Sequence, residues 1–406
     1  MANRFTRAQW LSLLLLVLAG VVNFLDRSSL SIAATPIRSE MHLSARGLGV
    51  LLSAFTLAYG FAQLPLGPAL DRFGSWKIMT AGLGIWSTAQ MLTGAVFGMR
   101  SFIALRVLLG LGEAPFFPAS VKLVRERFDE EQRGRAISAV NVSTTIGQAT
   151  APALLTILML KFGWRVMFAL LGGLGIVLAM VWVLAGRGKQ AAAPPMSALR
   201  GEWGSLFKRR AMWGMMLGFG GVNYTAWFYI SWLPTYLQNA QHLSIAASGW
   251  LAVLPFLGGS VGMLTSGFLA DMRAKRGGVL RRIHLSQIIT GMTLSAACTL
   301  MAVRMHTLPA ALTFISCALF CIHFAGTSAW GYAQAASERE VVATVSSLQN
   351  FGSFLLASVA PLATGWLLDR TQSFVSAFVL CGCVALIGAG SYALLVKSAD
   401  PLLGTP

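Results

Sequence analysis

Charge is what this sequence has least of. Its 406 residues include 31 Lys and Arg and only 14 Asp and Glu, 11% charged in all, against 56% hydrophobic. Soluble domains carry about a quarter charged residues, so most of this chain cannot face water and a soluble enzyme is excluded. Cysteine is also sparse. There are five, an odd number and all within apolar runs, which rules out a secreted disulfide scaffold. Histidine falls to five, and the one crowding of such groups, Cys317, Cys321 and His323, is short of a zinc set. No nucleophile–base pair converges, so neither enzymatic activity nor a metal or other cofactor is expected.

Long hydrophobic runs take the place of charge. They lie near 10–34, 48–70, 78–97, 102–124, 136–160, 164–185, 212–237, 250–270, 283–303, 310–333, 343–368 and 374–395. A bilayer-crossing helix needs about 20 apolar residues, so the expected fold is an all-α membrane protein with 12 transmembrane helices. Arg4 and Arg7 ahead of the first run imitate a secretory leader. The run meets Asp26-Arg27 instead of a small-residue cleavage site, and reads as an uncleaved first helix. With both termini on one side, 22 Lys and Arg fall in loops and termini on that side and 7 on the other. That bias predicts cytoplasmic termini in the cytoplasmic (inner) membrane. The net charge of +17 therefore reports topology, and nucleic-acid binding is not expected.

The longest non-apolar stretch, Gly186 to Arg210, contains Pro194-Pro195 and separates two halves. The expected organisation is an N-terminal six-helix bundle (1–186), a cytoplasmic linker (187–210) and a C-terminal six-helix bundle (211–406). The halves echo one another. Asn141 precedes Ala151-Pro152 as Asn350 precedes Ala360-Pro361, and Gly67-x-x-x-Asp71 ends span two as Gly267-x-x-x-Asp271 ends span eight. Paired matches at corresponding spans point to a parallel repeat, the symmetry of alternating-access transporters.

With Lys122 and Arg165 at run ends counted to the loops, four Asp, Glu, Lys and Arg lie inside the spans: Asp26, Arg27, Arg106 and Glu113. An ionised residue at mid-helix costs about 2.5–3.5 kcal/mol on insertion scales, so each must pair or line water. Arg106 and Glu113, seven residues apart, return to one face of span four, while the neighbours Asp26 and Arg27 point about 100° apart. Two readings stay open. The quartet is a buried ion-pair network holding a bundle together, or an arginine fork grips a substrate carboxylate while a carboxylate carries a proton. Tyr59 and Gln63, four apart, share a face of span two. Asn141 and Asn350 sit at repeat-equivalent positions, open to either substrate contact or helix-to-helix hydrogen bonding.

The segment Gly67-Pro-Ala-Leu-Asp71-Arg72-Phe-Gly74 resembles the loop signature of the major facilitator superfamily, departing from it at Ser75-Trp76. Four further segments resemble that superfamily's anion:cation symporters of sugar acids, of the galactonate, glucarate and hexuronate type. They are Leu25-Asp26-Arg27-Ser28-Ser29-Leu30; Leu105-Arg106 through Gly112-Glu113-Ala114-Pro115-Phe116-Phe117-Pro118; Arg135-Ala136-Ile137 with Asn141; and Trp227-Phe228-Tyr229-Ile230-Ser231-Trp232-Leu233-Pro234. The resemblance implies that Asp26 and Glu113 are protonation sites. It implies further that Arg27 contacts the substrate carboxylate, that Arg106 links the acids to the binding site, and that Tyr59 and Trp330 contact substrate. Gly67, Asp71 and Arg72 would form a gating loop.

The expectation is a proton-coupled importer of an organic anion, a sugar acid, acting as a monomer in the bilayer. Arg27, Arg106, Tyr59, Gln63, Asn141, Asn223, Trp330 and Asn350 would hold the substrate. The nearest alternative keeps the transporter but changes the cargo to aromatic or dicarboxylic acids, which the aromatic span seven leaves open. A drug exporter and a non-transporting sensor rank lower.

Overall fold

A computed structural model describes residues 5–185, 206–337 and 342–396, with the side chains of Pro68, Asp71 and Ala343 excepted. Most of the expected linker, residues 187–205, lies outside the described residues. The described chain is helical: α1 (Arg7–Ile32), α2 (Ala34–Glu40), α3 (Ala45–Phe73), α4 (Ser75–Thr93), α5 (Met99–Glu113), α6 (Phe116–Arg127) and α7 (Glu130–Ala185), followed by α8 (Arg210–Asn239), α9 (Ile245–Lys275), α10 (Leu280–Ala302), α11 (Leu308–Ala336), α12 (Val342–Thr371) and α13 (Val375–Leu395). Among the described residues nine helical segments are long and apolar enough to cross a membrane, α5 and α6 counting as one. One of the nine, α7, turns at Gly163 (φ 79°) and so crosses twice. This is a left-handed backbone that glycine adopts without strain. Together with α4 and α8 these make twelve crossings. Those two helices fall short in hydropathy because they carry side chains such as Gln90, Asn223, Tyr224 and Trp232, all of which their neighbours cover wholly or in part.

The apolar cores of the twelve runs match these helices, which extend a few residues past the runs at most ends. Two breaks were not legible as runs. Span one ends in a turn at Ala33 before α2, and span four is split at Ala114-Pro115 into α5 and α6. Large apolar side chains that remain uncovered, such as Val183, Leu264, Phe268 and Ile387, mark faces suited to lipid.

The chain divides into two compact units. One comprises Met1–His42 and Leu57–Met196; the other comprises Leu43–Thr56 and Ser197–Pro406. In the first, α1 packs on α7, and α4 packs on α5 and α7. In the second, α8 packs on α12, and α10 packs on α11 and α13. These are the same pairings one repeat later: spans one and five against seven and eleven, three and four against nine and ten, three and six against nine and twelve. Pro152 inside α7 and Pro361 inside α12 occupy the matching positions. Within the second unit, Asp369 of α12 caps the start of α3, accepting hydrogen bonds from the backbone N–H groups of Ala45 (2.9 Å) and Arg46 (2.9 Å). A carboxylate there meets orphan donors and the positive end of the helix dipole.

A polar staple closes one end of the first unit. Glu40 accepts hydrogen bonds from Arg165 (2.8 and 3.1 Å) and from the indole of Trp164 (2.6 Å). Arg165 also donates to the carbonyls of Gly94 (3.1 Å) and Val96 (2.7 Å), so one guanidinium ties together the ends of α2, α4 and the second half of α7. The Arg165 hydrogen bonds, then that of Trp164, hold the exposed Glu40 carboxyl below its ordinary value of 4.5. A depressed carboxylate contributes stability above its unfolded value and loses it as pH falls through the folded value. Wild type should therefore melt slightly above Glu40→Gln at neutral pH, and the gap should close on acidification below 4.5; detergent-solubilised protein scanned across pH checks this.

Candidate functional site

The first unit gathers the sequence's rarest residues. On α1, Asn23, Asp26 and Arg27 fall within one turn; on α5, Arg106 and Glu113 share the buried face, as their spacing required. Asp26 and Glu113 are fully buried, and Arg106 is 2% exposed. Arg27 Nε donates to Glu113 Oε2 at 2.8 Å, and its guanidinium lies 4.7 Å from the centre of the Tyr59 ring and 5.2 Å from that of Phe24. The aromatic faces stabilise the cation by cation–π attraction. Arg106 sits deeper, between the rings of Phe102 (5.7 Å) and Phe168 (5.4 Å), and faces both Glu113 and Asp26. The Asp26 oxygens, Glu113 Oε1 and the Arg106 Nε and Nη2 make no hydrogen bond among the described residues. The quartet is thus one buried cluster, two acids and two bases, with hydrogen-bonding capacity in reserve.

The helix break beside Glu113 is held by a residue singled out for another role. Pro118 has no N–H, so the carbonyl of Ala114, four residues earlier, loses its helical donor. Gln63 Nε2 supplies one instead, at 3.2 Å, and so fixes α3 to the α5–α6 junction one residue after Glu113.

The other expected site residues fall into separate groups. In the first unit, Asn141 on α7 is exposed and lines a small cleft with Phe117, Ser120 and Val140. In the second unit, Asn223 on α8 donates from Nδ2 to Ser353 Oγ on α12 at 2.7 Å, and Ser353 in turn donates to the Asn350 carbonyl at 2.7 Å. Trp330 on α11 is 39% exposed and meets Phe219 edge-on at 5.4 Å. The aromatics of α8 are engaged in packing: Trp232 with Phe374, Tyr229 with Phe378, and Trp227 with Phe55 and Phe354. His323 presses its ring against Gly259, and its Nδ1 lies 2.9 Å from the Leu319 carbonyl. Among the described residues no group of His, Cys, Asp and Glu could hold a metal ion.

In the loop region, Gly67 and Arg72 are exposed. The departure at Ser75-Trp76 has a structural counterpart. The Ser75 hydroxyl donates to Glu126, and Trp76 stacks between Trp182 (4.5 Å) and the guanidinium of Arg127 (4.0 Å). Lys122 Nζ donates to the Leu70 carbonyl at 2.8 Å, near the end of α3. Sequence reading missed this cluster, and it missed Asn23 and Gln90 in the core. A weak signal was present: both are amides inside apolar runs, and Asn23 lies three residues before Asp26 on the same helix.

Residues 16–361 match the sequence profile of the Major Facilitator Superfamily. The chain belongs to that superfamily. Among its relatives is a probable L-galactonate transporter of Escherichia coli (strain K12), 44% identical across 98% of this chain and 91% of the relative. A hexuronate transporter of Bacillus subtilis (strain 168) is 28% identical across 97% and 95%. A solved bacterial homolog of the human lysosomal transporter Spinster superposes with a TM-score of 0.81 at 18% identity, covering 99% of this chain and 100% of that one. This last likeness concerns the fold alone.

The Gln63 bridge can be tested by a double-mutant cycle. Gln63→Leu leaves a buried carbonyl unmet and should cost about 1–3 kcal/mol, seen as a lower melting temperature. In a Pro118→Ala background, where the helical N–H is restored, the same change should cost much less.

Proposed function

We propose that this protein imports a sugar-acid anion, L-galactonate or a close relative, together with protons, by alternating access. In this reading it is a monomer in the cytoplasmic membrane with both termini in the cytoplasm. The observation that carries the reading is the buried Arg27–Glu113 pair (2.8 Å) with Asp26 and Arg106 beside it. The names of the relatives supply the cargo class. The charge tally supports the orientation.

The physics of coupling follows from the pair. Arg27 takes Oε2 of Glu113, and an incoming carboxylate would compete with that oxygen for the same planar fork. A guanidinium satisfied by substrate no longer stabilises the Glu113 anion, so the acid takes up a proton. Anion and proton then favour each other's binding, and the coupling is reciprocal. Asn223 with Ser353, together with Asn350, Asn141 and Trp330, would meet the sugar hydroxyls and ring face. Tyr59 would brace the arginine. The alternative cargo of aromatic acids draws less support, because the α8 aromatics are engaged with one another and with α12 and α13.

Two outcomes test this. Glu113→Gln should abolish uncoupler-sensitive accumulation of labelled L-galactonate in vesicles while substrate counterflow stays measurable; equal loss of both would make Glu113 structural. Arg27→Lys should weaken substrate binding at least tenfold by thermal shift, since an ammonium cannot reproduce the fork, and unaltered binding would remove Arg27 from the site.

A further inference from the structure

The mechanism above uses four charged residues, yet two uncharged ones share their burial. Asn23 and Gln90 are fully buried. Asn23 lies one turn before Arg27 on α1, and its amide faces Glu113. Gln90 on α4 faces Asp26 and donates from Nε2 to Ser29 Oγ at 3.0 Å, while Ser29 donates to the Asp26 carbonyl at 2.7 Å. Both Asn23 amide atoms and Gln90 Oε1 make no hydrogen bond among the described residues. A buried amide left short of partners costs free energy, and here two of them sit against the two buried acids.

From this arrangement we infer that Asn23 and Gln90 are positioning residues for proton exchange, each serving one carboxyl group in both of its protonation states. A carboxylate accepts hydrogen bonds only, whereas a carboxylic acid must also donate one. An arginine can serve the first form but not the second, because it has no acceptor. An amide carries both a donor and an acceptor, so it can follow the carboxyl group through the change without moving a charge. Gln90 is held for this by Ser29, which fixes its Nε2 end while Oε1 takes no hydrogen bond among the described residues. Asn23 likewise faces Glu113, whose Oε1 is the oxygen that Arg27 does not take. The charged groups around them are shared. Asp26 is faced by Glu113 and Arg106 from α5, and Glu113 by Arg27 from α1 and by Arg106 on its own helix, with Tyr59 of α3 against Arg27. The two amides are thus the neutral members of a cluster otherwise made of fixed charges.

The inference rests on the proton-symport reading, and the experiment separates the two. Uptake of labelled L-galactonate into proteoliposomes is measured against pH for wild type, Gln90→Met, Asn23→Leu and Asn23→Ser. Thr93→Val serves as control; it alters a buried α4 residue whose hydroxyl bonds only to its own helix, at Ala89 (2.8 Å). Gln90→Met and Asn23→Leu should each move the pH of half-maximal uptake by at least half a unit. Asn23→Ser, which keeps a donor and an acceptor, and Thr93→Val should follow wild type. Counterflow measured in parallel confirms that each variant is folded and inserted. Profiles of Gln90→Met and Asn23→Leu that coincide with a pH-dependent wild type would overturn the inference alone. A wild type whose uptake ignores pH and uncoupler would overturn the symport reading, and this inference with it.

Discussion

Everything in the first unit is arranged around one constraint, which is that charges taken out of water need partners where no water is available. The Arg27–Glu113 bond answers it most directly. Removing one member of a buried pair leaves the other uncompensated, at a cost of about 3–5 kcal/mol, and neither residue can relax far because each is fixed at a close helix contact. Gly112, beside Glu113, lets α5 lie against the backbone of Trp86 on α4. Gly147 does the same against the backbone of Val21 where α7 crosses α1, and Gly20 of α1 leaves room for the side chains of Ser143 and Phe116. The helices that carry the pair are thus held by close packing along their length, and the pair is set by that framework rather than by loop geometry.

A pair held this tightly would be useless to a transporter if it were complete. It is incomplete in a specific way. Among the described residues Arg27 Nε takes one oxygen of Glu113, Arg106 faces both acids without bonding to either, and Asp26 has no bonded counterion. Deep burial with unmet capacity is unfavourable for stability alone, since apolar side chains of similar volume would often be at least as good. The cluster's composition makes better sense as one that must change partners. The second unit differs in that its buried helix-to-helix polar contacts are made by neutral side chains, such as Ser266 to Ser328 to Gln287 (2.8 and 2.7 Å). One repeat carries the charges and the other carries amides, hydroxyls and aromatic faces. Duplication preserved the helix pairings while the chemistry of the two halves diverged.

Legibility in the sequence followed physical scale. Bilayer thickness and helix rise together demand long apolar runs, and those can be read in a single chain, so the crossings were visible to within a few residues. The rarity of charge in such runs made Asp26, Arg27, Arg106 and Glu113 conspicuous, and the seven-residue spacing of the last two placed them on one face correctly. What stayed hidden depended on contacts between distant segments. Gln63 pairs with Ala114 because Pro118 removed a donor, which requires knowing that α3 passes the α5–α6 junction. Trp76 was seen as a departure from a motif, but its place between Trp182 and Arg127 depends on α7 returning beside α4. Asn23 and Gln90 were passed over because an amide in an apolar run has no fixed charge to announce it.

That last omission bears on how buried proton sites should be read. A search confined to ionisable residues finds the groups that hold charge and misses those that tolerate its loss. In a buried cluster the second task is as demanding as the first, because every protonation reverses one hydrogen-bond direction at the carboxyl oxygen. Arginines cannot follow that reversal. A neutral side chain with both donor and acceptor is then the simplest group that can, and two of them stand beside the two acids. Fixed charge sets how strongly each acid holds its proton; the amides bear on whether it can exchange one without disturbing the helices around it.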